Sequence, residues 1–212
     1  MKLVNLETLL PKDLPPGERV LWFGRPEPVS LWRRAFRADW VAIYFALLTI
    51  WGLVSPASDL GLAAALLGAG KTLAAGALAL AILGGLAWLS ARSTLYVVTT
   101  SRLVMKVGIA LPIFYNVPFK QIGSATLRLH ADGTGDLPVS LIEGQRIAYL
   151  TLWPSARPFR FTRPEPALRC VDDARAVADL LVKALRDAGA PEARATDLAR
   201  EPSALPAAAV AA

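Results

Sequence analysis

The sequence predicts a membrane α-hairpin joined to a mainly-β domain, a small barrel of six or seven strands with a C-terminal capping helix. Three observations support this fold class: two long uncharged stretches, a switch from helical to alternating hydrophobic period after them, and a final amphipathic segment. With 212 residues, the chain leaves one domain of ordinary size outside the membrane.

The membrane hairpin is predicted over residues 39–91. Trp40–Ser58 holds nineteen uncharged residues and Thr72–Ala91 holds twenty, and a spanning helix needs about 20. Neither stretch has the polar face that a helix of a soluble core keeps for its neighbours and solvent. We therefore predict spans at about 40–57 and 71–91.

The segment between the spans is Leu60–Gly70, eleven apolar residues. As a helix it would reach only about 16 Å, against a hydrocarbon core of about 30 Å. We predict that it extends the second helix, with Lys71 snorkelling outward and the turn lying at residues 55–58. A third span or a re-entrant segment is the alternative.

Basic and aromatic residues cluster at one end of both spans, where such side chains mark the membrane interface. The predicted interface residues are Trp32, Arg33, Arg34, Arg37, Trp40, Trp88 and Arg92. The connection offers only Lys71 against Asp59, so both termini and the β domain are expected in the cytoplasm. The net charge of +6 favours anionic lipids of that leaflet as partners, and no motif favours nucleic acid.

The β domain is predicted over residues 92–189, and residues 1–38 form an N-terminal segment with a short helix at Leu3–Leu10 and one strand at Glu18–Gly24. Six further strands are predicted at Thr94–Thr99, Arg102–Val107, Ile113–Phe119, Ala125–His130, Leu137–Ile142 and Arg146–Leu152, with a last edge at Phe159–Thr162. Asp172–Ala188 is predicted as a helix capped by Asp172 or Asp173. Residues 190–212, rich in alanine and proline, are predicted to be a disordered tail.

Catalysis and metal binding are not expected. One histidine and one cysteine exclude His-rich and four-cysteine metal sites. His130 has the outward parity of its strand, which favours a solvated side chain over a catalytic base. Cys170 is expected to be a small core residue. Asp132 and Asp136 bracket a Gly-Thr-Gly sequence that suits a tight turn better than a cation loop. The spans contain no histidine to ligate a pigment, and no cofactor is predicted.

Several motifs carry a family resemblance. GERVLWFGRP, TTSRLVMKVGIALP, NVPFKQI, DGTGDLPVSL, AYLTLWP and RPEPALR occur in this order across most of residues 15–188. Together they resemble the bacterial pleckstrin-homology-like membrane proteins and, more narrowly, the PuhB family of photosynthetic-complex assembly proteins of purple bacteria. Ser155 and Phe159 stand where that family commonly has histidine and tryptophan. The resemblance implies an intracytoplasmic photosynthetic membrane and contact with subunits of the reaction centre and core light-harvesting antenna.

The stretch Trp153–Arg169 is the predicted partner-binding surface, because it combines four arginines, two phenylalanines and four prolines. The residues predicted to contact a partner are Trp153, Arg157, Phe159, Arg160 and Arg163. A loop whose arginines face water or lipid headgroups is the alternative interpretation. For the whole chain, the alternative function is a lipid-binding module without a dedicated photosynthetic client. Gly84 and Gly85 suit close packing against another helix, so a homodimer also stays open.

The first testable prediction concerns topology. Because arginines flank the outer ends of both spans, alkaline phosphatase fused at Ser58 should be active and the same reporter fused at the C-terminus should be inactive. Activity at the C-terminus would contradict two spans with both ends in the cytoplasm.

Overall fold

The computed structural model describes residue 15 and residues 17–55, 61–142, 153–155 and 165–189. Its elements, in chain order, are β1 (Val20–Gly24), α1 (Pro28–Arg34), α2 (Ala38–Val54), α3 (Leu62–Ser93), β2 (Leu95–Thr99), β3 (Arg102–Val107), β4 (Ile113–Pro118), a 3-10 turn (Phe119–Gln121), β5 (Ile122–Ala125), β6 (Arg128–Leu129), β7 (Gly135–Leu141), β8 (Ala167–Val171) and α4 (Ala174–Asp187).

The strands form two antiparallel sheets. The first has the order β1-β2-β3-β4. In the second, β7 is central and pairs with β5, β6 and β8. The mainly-β fold with a C-terminal helix is therefore confirmed, with eight described strands in two sheets. The described strands do not close into a single barrel.

One core joins both sheets to α4. The alternating residues Tyr96, Val98, Leu103 and Met105 of the first sheet are fully buried beside Leu137, Val139 and Leu168 of the second. The apolar face of α4 covers them with Ala174, Val177, Ala178, Leu181, Ala184 and Leu185. The other face of the first sheet carries a smaller cluster of Leu95, Val97 and Val104. The strand predicted at Arg102–Val107 and the amphipathic segment at the end of the domain are both confirmed.

The helices α2 and α3 pack against each other and expose apolar side chains outward, including Trp51, Leu66 and Leu78. The helix α3 is long and apolar enough to cross a membrane. The helices α1 and α2 meet that criterion only as one bent pair, with an angle of 56° between them. Residues 62–70 belong to α3, which is the extension that the sequence predicted for them.

The predicted strand Ala125–His130 is wrong, because the structure has two shorter strands there. The register places Thr126 opposite Pro138, and the Thr126 N–H donates to the Pro138 carbonyl at 3.0 Å. Pro138 has no N–H to return, so the ladder loses a hydrogen bond at this point. The interruption separates β5 from β6.

The strand β8 was missed by the sequence analysis, which predicted no strand at Ala167–Val171. All five residues of β8 are buried, so the alternation that marks a half-buried strand is absent. Pro164, Pro166 and the charged Arg169 further mask the pattern. Arg169 therefore lies inside the domain and not on the predicted contact surface.

The cap predicted for the last helix is correct in position but not in its hydrogen bonding. Asp173 stands at the N-cap of α4, but it has φ +49° and its side chain makes no capping hydrogen bond. The predicted helix Leu3–Leu10, the strands Arg146–Leu152 and Phe159–Thr162, and the tail lie outside the described residues.

The packing of α2 against α3 gives a testable prediction. A Cβ atom added at Gly76 would lie 2.8 Å from Cβ of Phe45 on α2, whereas one at Gly85 would meet nothing within 4 Å. We expect Gly76→Ala to lower the free energy of unfolding in mixed micelles by about 1–3 kcal/mol relative to Gly85→Ala. Both variants gain the same helix propensity, so Gly85→Ala is the matched control. Equal stability of the two would show that α2 does not pack closely on α3 at this position.

Candidate functional site

The junction between the helices α1–α3 and the β domain begins at Glu27. Its side chain accepts hydrogen bonds from the N–H groups of Val29 (3.0 Å) and Ser30 at the start of α1. Its own N–H donates to the carbonyl of Cys170 in β8 at 2.7 Å. Pro28 occupies the first turn of α1, where no N–H is needed. The start of α1 is thus fixed to β8.

The turn between β6 and β7 holds the side of α1. Ser30 Oγ donates to Asp132 Oδ2 at 3.1 Å, and Arg34 Nη2 lies 3.2 Å from the same oxygen. Thr134 donates to the other carboxylate oxygen through its hydroxyl (2.8 Å) and its N–H (3.2 Å). Asp132 therefore links α1 to the turn. Arg34, predicted at the membrane interface, lies here and is about one-third exposed.

These contacts determine the charge state of Asp132. Burial raises its pKa, but the hydrogen bonds from Thr134, Arg34 and Ser30 outweigh burial and hold the pKa well below the ordinary value. A carboxyl whose pKa is lowered by folding stabilises the folded state above its unfolded pKa of about 3.9 and loses that contribution as the pH falls. The link is therefore fully formed at neutral pH and weakens only in acid.

A second carboxylate, Asp136, lies inside the domain. It accepts a hydrogen bond from the N–H of Cys170 at 2.8 Å. His130 Nε2 lies 3.4 Å from Oδ1 and Arg169 Nε lies 3.5 Å from Oδ2. Burial raises the pKa of Asp136, but His130, the charge of Arg169 and the Cys170 N–H outweigh it and lower the pKa overall. The buried charges of Asp136 and Arg169 compensate each other.

The prediction of a solvated His130 is wrong, since its side chain is only 8% exposed. The strand β6 ends at Leu129, so the outward parity of the strand does not extend to His130. Its N–H donates to the Thr134 carbonyl at 2.8 Å and closes the turn. The side chain then faces Asp136. The turn predicted from Asp132 to Asp136 is confirmed.

Cys170 is a buried core residue, as predicted. Burial, followed by the nearby charge of Asp136, raises the pKa of its thiol to about 11. A thiol with such a pKa is protonated at neutral pH and is a poor nucleophile.

The segment 153–155 is attached to the core by hydrogen bonds. Ser155 Oγ lies 2.9 Å from the hydroxyl of Tyr96, and the Ser155 carbonyl accepts the N–H of Ala167 at 2.8 Å. The Tyr96 hydroxyl also accepts the N–H of Arg169 at 3.3 Å. Burial raises the pKa of Tyr96 to about 12, so its hydroxyl stays protonated. These bonds fix the base of the predicted partner surface.

Trp153 stands at the edge of this junction. Its ring packs edge-on against Phe36, with 4.9 Å between the ring centroids, and the residue is 41% exposed. Phe36 belongs to a buried cluster with Leu31 of α1, Ala87 and Ala91 of α3, and Cys170 of β8. The other predicted partner residues, Arg157, Phe159, Arg160 and Arg163, lie outside the described residues.

The predicted interface residues lie on α1, α2 and α3 and at the bend between α1 and α2. Arg33 Nε lies 3.2 Å from Asp39, and Arg37 adopts φ +56° at the bend between α1 and α2. The Arg92 guanidinium lies 5.3 Å from the centre of the Trp88 ring. Trp32 packs beside Gly84 of α3, and Trp40 is exposed.

Comparison with known proteins defines the class of the protein. Residues 40–185 match the family model described as "Bacterial PH domain", and the chain belongs to this family. It is also similar to an "uncharacterized 23.7 kDa protein in puhA 5'region" of Rhodobacter capsulatus, with 32% identity over 177 residues, 82% of this chain and 83% of the relative. Both findings agree with the resemblance to the PuhB family. No solved structure matches the chain.

The junction gives a third prediction. Asp132→Ala removes the acceptor that Ser30, Arg34 and Thr134 share, and loss of such hydrogen bonds costs about 1–3 kcal/mol. We expect hydrogen exchange at the amides of Leu31 and Ala35 to become roughly 5- to 150-fold faster in lipid nanodiscs, in proportion to that loss. Asp179→Ala removes an exposed carboxylate on α4 and serves as the control. Unchanged exchange in α1 would mean that Asp132 does not hold this helix.

Proposed function

We propose that the protein is a membrane-anchored assembly factor for the photosynthetic reaction centre and its core light-harvesting complex. It acts by protein contact and not by catalysis. The observation that carries this proposal is Trp153, a half-exposed tryptophan packed on Phe36 where α1, α3 and β8 meet. The relative in the puhA 5' region and the PuhB resemblance support a photosynthetic client.

The contacts that hold the Trp153 segment in place suit this side chain to binding. Tryptophan is enriched among residues that dominate interface energies. Here Ser155, two residues further on, is held by Tyr96 through its hydroxyl and by the Ala167 N–H through its carbonyl, so little conformational freedom remains to be lost on binding. Its position beside α1 and α3 would bring it close to client helices that share the bilayer.

The proposed setting is the intracytoplasmic membrane, with the β domain in the cytoplasm. The arginines near the ends of α1, α2 and α3 would then face the anionic leaflet.

A lipid-binding module would use the same cations without any client. A photocrosslinker at position 153 separates the two functions, because only an assembly factor would capture reaction-centre or antenna polypeptides during complex synthesis.

The fourth prediction tests the predicted partner residues that follow Trp153 in the sequence. We expect the double change Arg157→Ala, Phe159→Ala to lower the yield of complete reaction centres while leaving the membrane level of this protein unchanged. Loss of an aromatic anchor with its arginine removes about 2 kcal/mol or more at an interface centre. The measurement is the amount of assembled complex, together with copurification of its subunits.

A matched control removes two exposed cations elsewhere. Arg175 and Lys183 are exposed on α4, and Arg175→Ala, Lys183→Ala should leave assembly unchanged. Loss of the protein itself in the Arg157, Phe159 variant would assign a structural role to that stretch. Normal assembly at normal protein level would contradict the proposed surface.

A further inference from the structure

The turn between β3 and β4 exposes an apolar tip. Leu111 is 79% exposed, and Ile109 and Ile113 are 46% and 37% exposed. By contrast, the large apolar residues of the neighbouring strands β2 and β3 are buried. Three exposed aliphatic residues within five positions form a local patch, which we call the β3–β4 tip (residues 108–113). Such a patch indicates an interaction site.

Strand register places the tip beside the membrane helix. Leu95 begins β2 two residues after α3 ends at Ser93, so their Cα atoms are at most about 7 Å apart. Leu95 pairs with Lys106, and Val107 pairs with Ile113 across the turn. The β3–β4 tip therefore projects from the end of the sheet nearest to α3. Contact between α3 and β3 supports the same placement.

The surrounding charges fit a lipid headgroup layer. Lys106 lies at the base of the tip, with Nζ 5.6 Å from the centre of the Phe114 ring. On α3, Arg92 lies against Trp88, a pair of the kind found at membrane interfaces. No acidic residue occurs between Arg102 and Asp132 in the sequence. In a bilayer, anionic headgroups lie next to apolar acyl chains. The β3–β4 tip carries apolar side chains with a cation at its base, so the two surfaces are complementary.

The tip is also built as a tight turn. Gly108 has φ +109°, and a Cβ atom there would collide with the carbonyl oxygen of Leu111. Only glycine fits this close approach, and the tight turn that results has Ile109 and Leu111 at its apex. The other end of the β2–β3 hairpin differs, because Thr100 and Ser101 are polar there.

We propose that the β3–β4 tip inserts into the bilayer that holds α3, at the boundary between headgroups and acyl chains. Ile109, Leu111 and Ile113 supply the inserted surface and Lys106 contacts the headgroups. The domain is then attached to the membrane at two places, the end of α3 and the tip. This inference does not depend on the photosynthetic client. It requires that α3 lies in the bilayer.

Single cysteine labels in the full chain test the insertion. Cys170 is buried and protonated, so an environment-sensitive maleimide dye will label introduced cysteines selectively. Leu111→Cys reports on the tip, Leu78→Cys on the middle of α3, and Ser101→Cys on the opposite end of the hairpin. Each labelled protein is reconstituted at low density in vesicles of mixed zwitterionic and anionic lipid that carry spin-label quenchers at a shallow or a deep acyl position.

The expected pattern is specific to each position. An interfacial group lies about 5–10 Å below the headgroup boundary, so the Leu111→Cys label should shift its emission to shorter wavelength and be quenched most by the shallow spin label. The Leu78→Cys label should be quenched most by the deep one, and the Ser101→Cys label by neither.

Three results would overturn the inference. If the tip label behaves like the Ser101→Cys label while Leu78→Cys is quenched, the tip is in water although α3 spans the bilayer. If the tip label is shielded from water but not quenched by either lipid, a protein surface covers it. If the Leu78→Cys label is not quenched, α3 does not lie in the bilayer and the inference fails.

Discussion

The structure depends on two aspartates that lie four residues apart around one turn. Asp132 faces outward and binds Ser30 and Arg34 of α1, while Asp136 faces inward and binds the backbone of Cys170 in β8. The turn between β6 and β7 therefore connects α1, which precedes the apolar helices α2 and α3, to the interior of the β domain. Glu27 completes this connection from the other side, because it caps α1 and also bonds to Cys170. The position of the domain relative to α1 follows from this set of contacts.

A buried carboxylate needs a partner to be tolerated, and this requirement explains the composition around Asp136. Arg169 compensates its charge, and His130 approaches the same oxygen that accepts the Cys170 N–H. Removing either charge of a buried pair leaves the other without compensation, which costs about 3–5 kcal/mol. The exposed junction at Asp132 is a weaker link of the same kind. The proposed contact surface at Trp153 lies on the domain that this turn connects to α1.

The sequence predicts most of the elements, because their signals are local. The uncharged length of residues 72–91, the alternation in β3 and the apolar face of α4 each identify their element directly. The features that the sequence does not predict depend on tertiary contacts. The strand β8 is buried on both faces and carries Arg169, and β5 and β6 are separated by Pro138 on a neighbouring strand. His130 turns inward because of an aspartate six residues later. At the candidate site, Trp153 could be predicted from composition, but its support by Phe36 and Tyr96 depends on residues more than fifty positions away.

The most direct test of this account is a double-mutant cycle between Asp136 and Arg169, read as the free energy of unfolding of the full chain in mixed micelles. Asp136→Asn keeps an acceptor for the Cys170 N–H but removes the charge, and it should destabilise the protein by about 3–5 kcal/mol. Adding Arg169→Met should recover a substantial part of that loss, because no buried charge then remains unpaired. Independent, additive effects of the two substitutions, or a stable Asp136→Asn protein, would contradict the account.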